Sequence, residues 1–297
     1  MRRSVSVWLL AIASAAAGAL GQATVGAEGG GEHCLWRVRS PTTTMYLVGS
    51  VHLLRPEAYP LAEEIETAFE VSSVAVFEVD LGAEGTAAAA FGALAAGMLP
   101  EGTLLREVVF AETWKLAERR ATEIGLDFAG MQGMRPWMVA TTLALTELQG
   151  AGYSPTDGVD RYFYRRARDG GKTVQGLETI EFQLSLLAGL SKEQDEAFLL
   201  QTVRELDTVI PMVDELVEHW RNGRVEEVGA LLVEGFLQFP ELFKTMVSDR
   251  NARWLPRLEK LLAGTEPSFV VVGALHLVGD DGVIEMLRSR GYTVEQL

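Results

Sequence analysis

Two stretches of this 297-residue chain are near-copies of each other: Tyr46-Leu47-Val48-Gly49-Ser50-Val51-His52-Leu53-Leu54 and Val270-Val271-Val272-Gly273-Ala274-Leu275-His276-Leu277-Val278. Each is an apolar run, then Gly-x-x-His, then two more aliphatic residues. An apolar run cut short by Gly predicts a buried strand that ends where backbone must approach something closely. A histidine three residues beyond that Gly falls at the strand's carboxyl end or on the loop leaving it. That edge is where open α/β sheets place their ligands. A fold that joins the two histidines must therefore bring both ends of the chain into one sheet.

The flanking sequence repeats as well. After the first motif, Pro56 opens a helix over 57–71, with Leu61, Ile65 and Phe69 on one face. A strand over 74–79 follows it. After the second motif, Asp280 or Asp281 caps a helix over 282–290, Gly291 ends it, and a strand over 292–294 closes the chain. Each end reads as a β–loop–α–β unit, with parallel strands joined by a right-handed crossover. Leu35–Val38 adds a strand before the first unit.

Between the units the pattern is mainly helical: 86–98, 104–124, 137–148, 159–168, 192–209, 213–222, 225–237 and 240–262, with breaks at Pro211, Gly223 and Pro240. A strand over 173–175 leads into Gly176-Leu177-Glu178-Thr179, where Thr179 caps another helix. The expected fold is α/β: two β–loop–α–β half-units forming a central mixed sheet, with a large helical insertion at about 81–262.

The start of the chain reads differently. Arg2 and Arg3 precede an almost wholly apolar stretch, Val5 to Leu20, and small residues follow it. This is a secretory signal pattern, too short for a comfortable membrane span. Residues 1–27 are assigned to a signal peptide, 28–34 to a flexible leader, and 35–297 to a single domain. The expected location is outside the cytoplasm, periplasmic or secreted, with no membrane attachment after cleavage. A net charge of −15 and the lack of a basic cluster argue against nucleic acid as a partner. The one cysteine, Cys34, forbids an intrachain disulfide and excludes Cys-rich zinc sites.

Any metal site must then use carboxylates and the four histidines, His33, His52, His219 and His276. His33 belongs to the leader and His219 to the middle of a helix, which leaves the matched pair. A lone strand-end histidine is usually just a satisfied polar residue, but a structural role gives no reason for a matching pair. Imidazole is a common ligand for Zn, Mn, Co, Ni or Fe, and the usual general base near neutral pH. Glu78 ends the strand neighbouring the first motif, and Glu178 follows a strand-breaking Gly. Their plain readings are an exposed strand end and a helix-start acid favoured by the macrodipole. Two histidines with one or two carboxylates would suit a divalent first-row metal with a position open for water or substrate. Arg250-Asn251 reads by pattern alone as solvated surface. Serine-elbow, Walker-A and dinucleotide fingerprints are all missing.

These residues, taken in order, resemble the TraB/PrgY/GumN family, related to the Tiki metalloproteases. The resemblance rests on the first Gly-x-x-His block, Val-Phe-Glu-Val around Glu78, Arg135-Pro136-Trp137, and Gly158-Val159-Asp160. It continues through Gly176-Leu177-Glu178-Thr179 with Gln183, Trp220 with Gly223, Asp249-Arg250-Asn251, and the second Gly-x-x-His block. It implies a metal-dependent hydrolase, a peptidase, in which His52 and His276 with Glu78 or Glu178 hold a divalent ion (Mn, Co or Zn). The other glutamate would serve as general base, and Arg250 and Asn251 would bind substrate or transition state. The substrate would be a peptide or another small molecule. The wider superfamily implies two rivals: a non-catalytic binder of haem, iron or a peptide signal, and a metal-free hydrolase of the erythromycin-esterase type.

Overall fold

The structure, a computed structural model, describes residues 31–80, 82, 92 and 94–297. The segments assigned to the signal peptide and most of the alanine-rich helix expected over 86–98 lie outside them.

Six strands form one mixed sheet: β1 (Leu35–Arg39), β2 (Thr44–Ser50), β3 (Val74–Val79), β4 (Thr173–Glu178), β5 (Ser268–Gly273) and β6 (Thr293–Gln296). Their spatial order is β4-β3-β5-β2-β1-β6. The four strands from β4 to β2 run parallel, while β1 is antiparallel to both β2 and β6. Every residue of β3 and β5 is buried, as expected of parallel strands covered on both faces and spelled as continuous apolar runs. The edge strands β4 and β6 alternate in exposure instead.

The α/β class with a helical region is thus as the sequence predicts, but the half-units do not stand side by side. Strand β5 inserts between β2 and β3, so the crossover from β2 to β3 steps over it. The strand expected over 173–175 is present as β4, so the insertion supplies one edge of the sheet. Interleaving places Ser50 opposite Gly273 in parallel register. The two motifs then pack on each other: a Cβ on Gly49 would lie 3.1 Å from Ala274 Cα and Cβ.

The main helices are α1 (Glu63–Glu70), α2 (Ala111–Glu123), α3 (Pro136–Gly150), α4 (Val159–Asp169), α5 (Ile180–Ala188), α6 (Lys192–Glu205), α7 (Val209–Arg221), α8 (Val225–Glu234), α9 (Asp249–Leu262) and α10 (Val283–Ser289). Phe69 of α1, Phe163 of α4 and Phe269 of β5 meet in tilted and edge-on contacts, with centroids 4.8–5.4 Å apart. Such pairs add to the area they bury and fix both helices on one face of the sheet. Trp220 of α7 donates its indole N–H to the Gly49 carbonyl at 2.6 Å.

Several boundaries differ from expectation for local reasons. The helix expected over 57–71 is a single 3-10 turn, Pro56–Ala58, and then α1, because Pro60 has no N–H to continue it. The 104–124 stretch splits at Phe110, and the 240–262 stretch contains a π-helical turn, Lys244–Ser248, just before α9. Neither Asp280 nor Asp281 caps α10. Its N-cap is Gly282, and the Asp281 side chain accepts from Ser248 Oγ instead. Thr179 does cap α5, accepting from Phe182 N–H. His33 and Cys34 are already packed, with His33 N–H bonded to the Leu297 carbonyl. Burial pushes the Cys34 thiol up to about 12, well away from a reactive thiolate.

Candidate active site

The parallel strands deliver their carboxyl ends to one edge of the sheet. Glu78 is the penultimate residue of β3 and Glu178 the last of β4. His52 lies just past β2, and His276 ends the 3-10 turn Ala274–His276 that follows β5. Arg250 and Asn251 lie in the first turn of α9, both buried. Their expected solvated setting is therefore corrected: they share the buried stripe of Trp254, Leu258 and Leu262, spaced by helical turns.

Arg250 sits at the centre of a closed hydrogen-bond cluster. Its Nε donates to Glu178 Oε1 at 3.0 Å. Nη1 donates to the Met246 carbonyl at 3.0 Å and to His276 Nε2 at 2.9 Å. Nη2 donates to Glu78 Oε2 at 2.5 Å and Glu178 Oε1 at 2.6 Å. A guanidinium has five N–H groups, and all five are used. Gln183 Nε2 donates to both glutamates, and Trp254 Nε1 to Glu178 Oε2.

His276 has one tautomer open to it. A guanidinium offers no lone pair, so Nε2 accepts and the proton lies on Nδ1, which donates to Asn251 Oδ1 at 2.7 Å. Asn251 Nδ2 donates to the carbonyls of His276 and Asp281, which fixes the amide's orientation. Burial and the Arg250 charge hold His276 neutral, its pKa lowered to about 3. Burial alone would raise the Glu78 pKa, but Arg250, His276, His52 and the Gly273 N–H (2.7 Å to Oε1) hold the carboxyl far below the usual range. A carboxylate so stabilised is a weak base.

His52 belongs to a second arrangement. Its Nδ1 is 3.3 Å from Asp160 Oδ1, a charge contact short of an aligned hydrogen bond. Burial opposes the charged imidazole, yet Asp160 and then Glu78 outweigh it, and the His52 pKa is raised. Gly158 makes this approach possible, since a Cβ there would lie 2.4 Å from the His52 carbonyl oxygen. Val159 N–H also bonds the Val51 carbonyl, docking the start of α4 on the histidine loop. Gly273 leaves room on the opposite side: a Cβ there would lie 3.3 Å from both His52 Nε2 and Glu78 Oε1.

Sequence reasoning missed two residues here. Asp160 is nearly buried in the first turn of α4, where an acid reads as a macrodipole partner; its signal is the preceding Gly158. Ser50 is buried, and its hydroxyl has no partner. Both Ser50 and His52 line a pocket of about 540 Å³, open mouth included, walled also by Glu78, Arg250 and His276. Its remaining wall is an apolar collar that includes Leu216, Leu232, Met246, Val247 and Leu275. His219 stays outside, with Glu215 its nearest acidic partner at 3.9 Å.

The six expected site residues therefore converge, but not as a ready metal centre. Among the described residues no three His, Cys, Asp or Glu side chains are grouped to hold a metal ion. His276 Nε2, Glu78 Oε2 and Glu178 Oε1 are all bonded to Arg250. The donor set as arranged holds a guanidinium and does not fit a metal. Arg250, with no N–H to spare, is likewise not poised to bind an oxyanion.

The molecule is an α/β protein with a histidine–carboxylate–guanidinium site at the carboxyl edge of its parallel strands. It belongs to the TraB/PrgY/gumN family, whose sequence model matches residues 34–296. It is 24% identical to the uncharacterized protein YbaP of Escherichia coli over 262 residues, 87% of this chain and 94% of that one. It is 23% identical over 317 residues to the metalloprotease TIKI2 of Danio rerio, covering 88% of this chain and 60% of that protein. The metalloprotease TIKI1 of Homo sapiens is 23% identical over 318 residues, with 88% and 61% covered. No solved structure matches the chain.

Proposed function

We propose that this protein is a hydrolase that cleaves peptide bonds, exported from the cytoplasm. The observation that carries the reading is the convergence of both Gly-x-x-His histidines with Glu78 on one pocket at the strand edge. Kinship with proteins named metalloproteases supports the reaction class. The basic, apolar, small-residue start of the chain supports export. No helix among the described residues is long and apolar enough to cross a membrane.

The chemistry follows from the chain's own groups. His52 Nε2 takes a proton from water, and the oxygen attacks the scissile carbonyl carbon. Asp160 and Glu78 stabilise the imidazolium that forms. The nearest unpartnered donor for the oxyanion is the buried Ser50 hydroxyl, which must turn toward the pocket that Ser50 lines. As the C–N bond breaks, the imidazolium returns its proton to the leaving amine. Asn251 and Arg250 hold His276 and the glutamates in place. The apolar collar suits a substrate with an aliphatic or aromatic side chain beside the cleaved bond. No step is routed through a metal, because Arg250 holds the donors.

The test is incubation with a mixed peptide library, with and without added Mn²⁺, Co²⁺ or Zn²⁺, and product analysis by mass spectrometry. Cleavage by wild type and not by His52→Ala is expected. Cleavage no greater than the His52→Ala background, whichever metal is added, sinks the reading. With Arg250 saturated and the chemistry assigned to side chains, cleavage should also survive strong chelation.

A further inference from the structure

Every charged side chain described at the pocket wall is already committed to a neighbour. Glu78 Oε1 accepts from the Gly273 N–H, and Oε2 from Gln183 and Arg250. Arg250 divides its five N–H groups among Glu78, Glu178, His276 and the Met246 carbonyl. His52 faces Asp160 through Nδ1, which leaves Nε2 for the reaction. Among the described lining residues, then, no carboxylate is open to a substrate ammonium and no guanidinium to a substrate carboxylate. The rest of the wall is apolar: Leu216 of α7, Leu232 of α8, Met246 and Val247 of the π-helical turn, and Leu275. All five are buried, so the collar is a packed wall that strips water from whatever enters.

We infer that the protein cuts interior peptide bonds beside an uncharged, bulky apolar side chain, and rejects a free terminus or a charged side chain next to the bond. A terminal ammonium or carboxylate would enter this pocket desolvated and unpaired, at far greater cost than a neutral amide. An interior bond brings only neutral N–H and C=O groups. Acceptance comes from the collar and rejection from the saturated charges, so specificity has an attractive and a repulsive part. Leu232 is a specificity-determining position on this account: a carboxylate placed there should admit a cation. The specificity rests on the hydrolase reading for its chemistry, but it can be read by binding alone.

The experiment is NMR titration of His52→Ala, which cannot turn over, with four probes: acetyl-leucyl-leucine amide, the same molecule with lysine or aspartate as its second residue, and unblocked leucyl-leucine. The blocked leucine probe should bind at least 10-fold more tightly than the other three. Adding Leu232→Asp should tighten the lysine probe at least 10-fold, and Leu216→Asp replaces it if that variant does not fold. The proposal is overturned if a charged or unblocked probe binds as tightly as the blocked leucine probe, if that probe does not bind, or if the new carboxylate leaves the order unchanged. Wild type supplies a separate readout, mass spectrometry of products from long peptides. Interior cuts are expected. Trimming of single terminal residues sinks the specificity and leaves the hydrolase reading standing. The expected binding order without any cleavage by wild type sinks the hydrolase reading and leaves the pocket's preference standing.

Discussion

At the scale of single residues, the site divides its charges into two roles. His52 is the group placed to exchange a proton. Its pKa is raised above the ordinary value of 6.5 by Asp160 and Glu78, against the effect of burial. Activity that needs the neutral imidazole should fall as pH drops, with the midpoint above 6.5. Asp160→Asn removes the main stabilising charge, so a pH–rate profile should show that midpoint moving down and the maximal rate falling. Arg250 has the other role, holding two carboxylates that are also buried. Removing one partner of such a buried group leaves uncompensated charge, at a cost of about 3–5 kcal/mol. Denaturant unfolding of Arg250→Ala in chelator should show a loss of that size, and a loss below about 1 kcal/mol would show the carboxylates find other partners.

At the scale of elements, the glycines of the motifs explain how two distant strands meet. The repeated Gly-x-x-His spelling made the site legible, along with the two strands that carry it. Parallel strands buried on both faces advertise themselves as unbroken apolar runs, so β3, β5 and the buried end of β2 are readable. Their order is not, because crossover over an intervening strand leaves no local trace. Pattern alone places Arg250 and Asn251 on the surface, though their helical spacing from Trp254 and Leu258 is a signal of burial. Asp160 was hidden because a helix-start acid has an ordinary explanation. Gly158 is the sharper marker, since only its missing Cβ lets α4 reach the His52 loop. Gly158→Ala should force backbone apart and separate Asp160 from His52. We expect it to reproduce the shifted pH profile of Asp160→Asn, with added destabilisation of about 1–3 kcal/mol from the steric conflict. A wild-type profile in Gly158→Ala would contradict the docking role.

At the scale of the whole molecule, the buried site sets a pH dependence of stability. His276 binds a proton near 6.5 when unfolded but only near 3 when folded. The unfolded state therefore takes up a proton first as pH falls, and stability declines through that window. His52, raised in the folded state, is protonated in both states below 6.5 and adds no slope there. Glu78, depressed in the folded state, adds to the loss only below its ordinary value of 4.5. Between pH 6.5 and 4.5, one group thus contributes up to about 1.4 kcal/mol per pH unit. Chemical denaturation across that range should show His276→Gln with a shallower slope than wild type, and equal slopes would contradict a neutral, buried His276.

The central claim is that a motif repeated at both ends of the chain builds one hydrolytic site, with His52 as its base. Steady-state peptide cleavage by wild type and His52→Ala at neutral pH tests it most directly. With His52 as the base, kcat should fall about 100-fold or more in the variant, the usual contribution of a positioned general base. A variant that folds like wild type and cleaves at the same rate would contradict it.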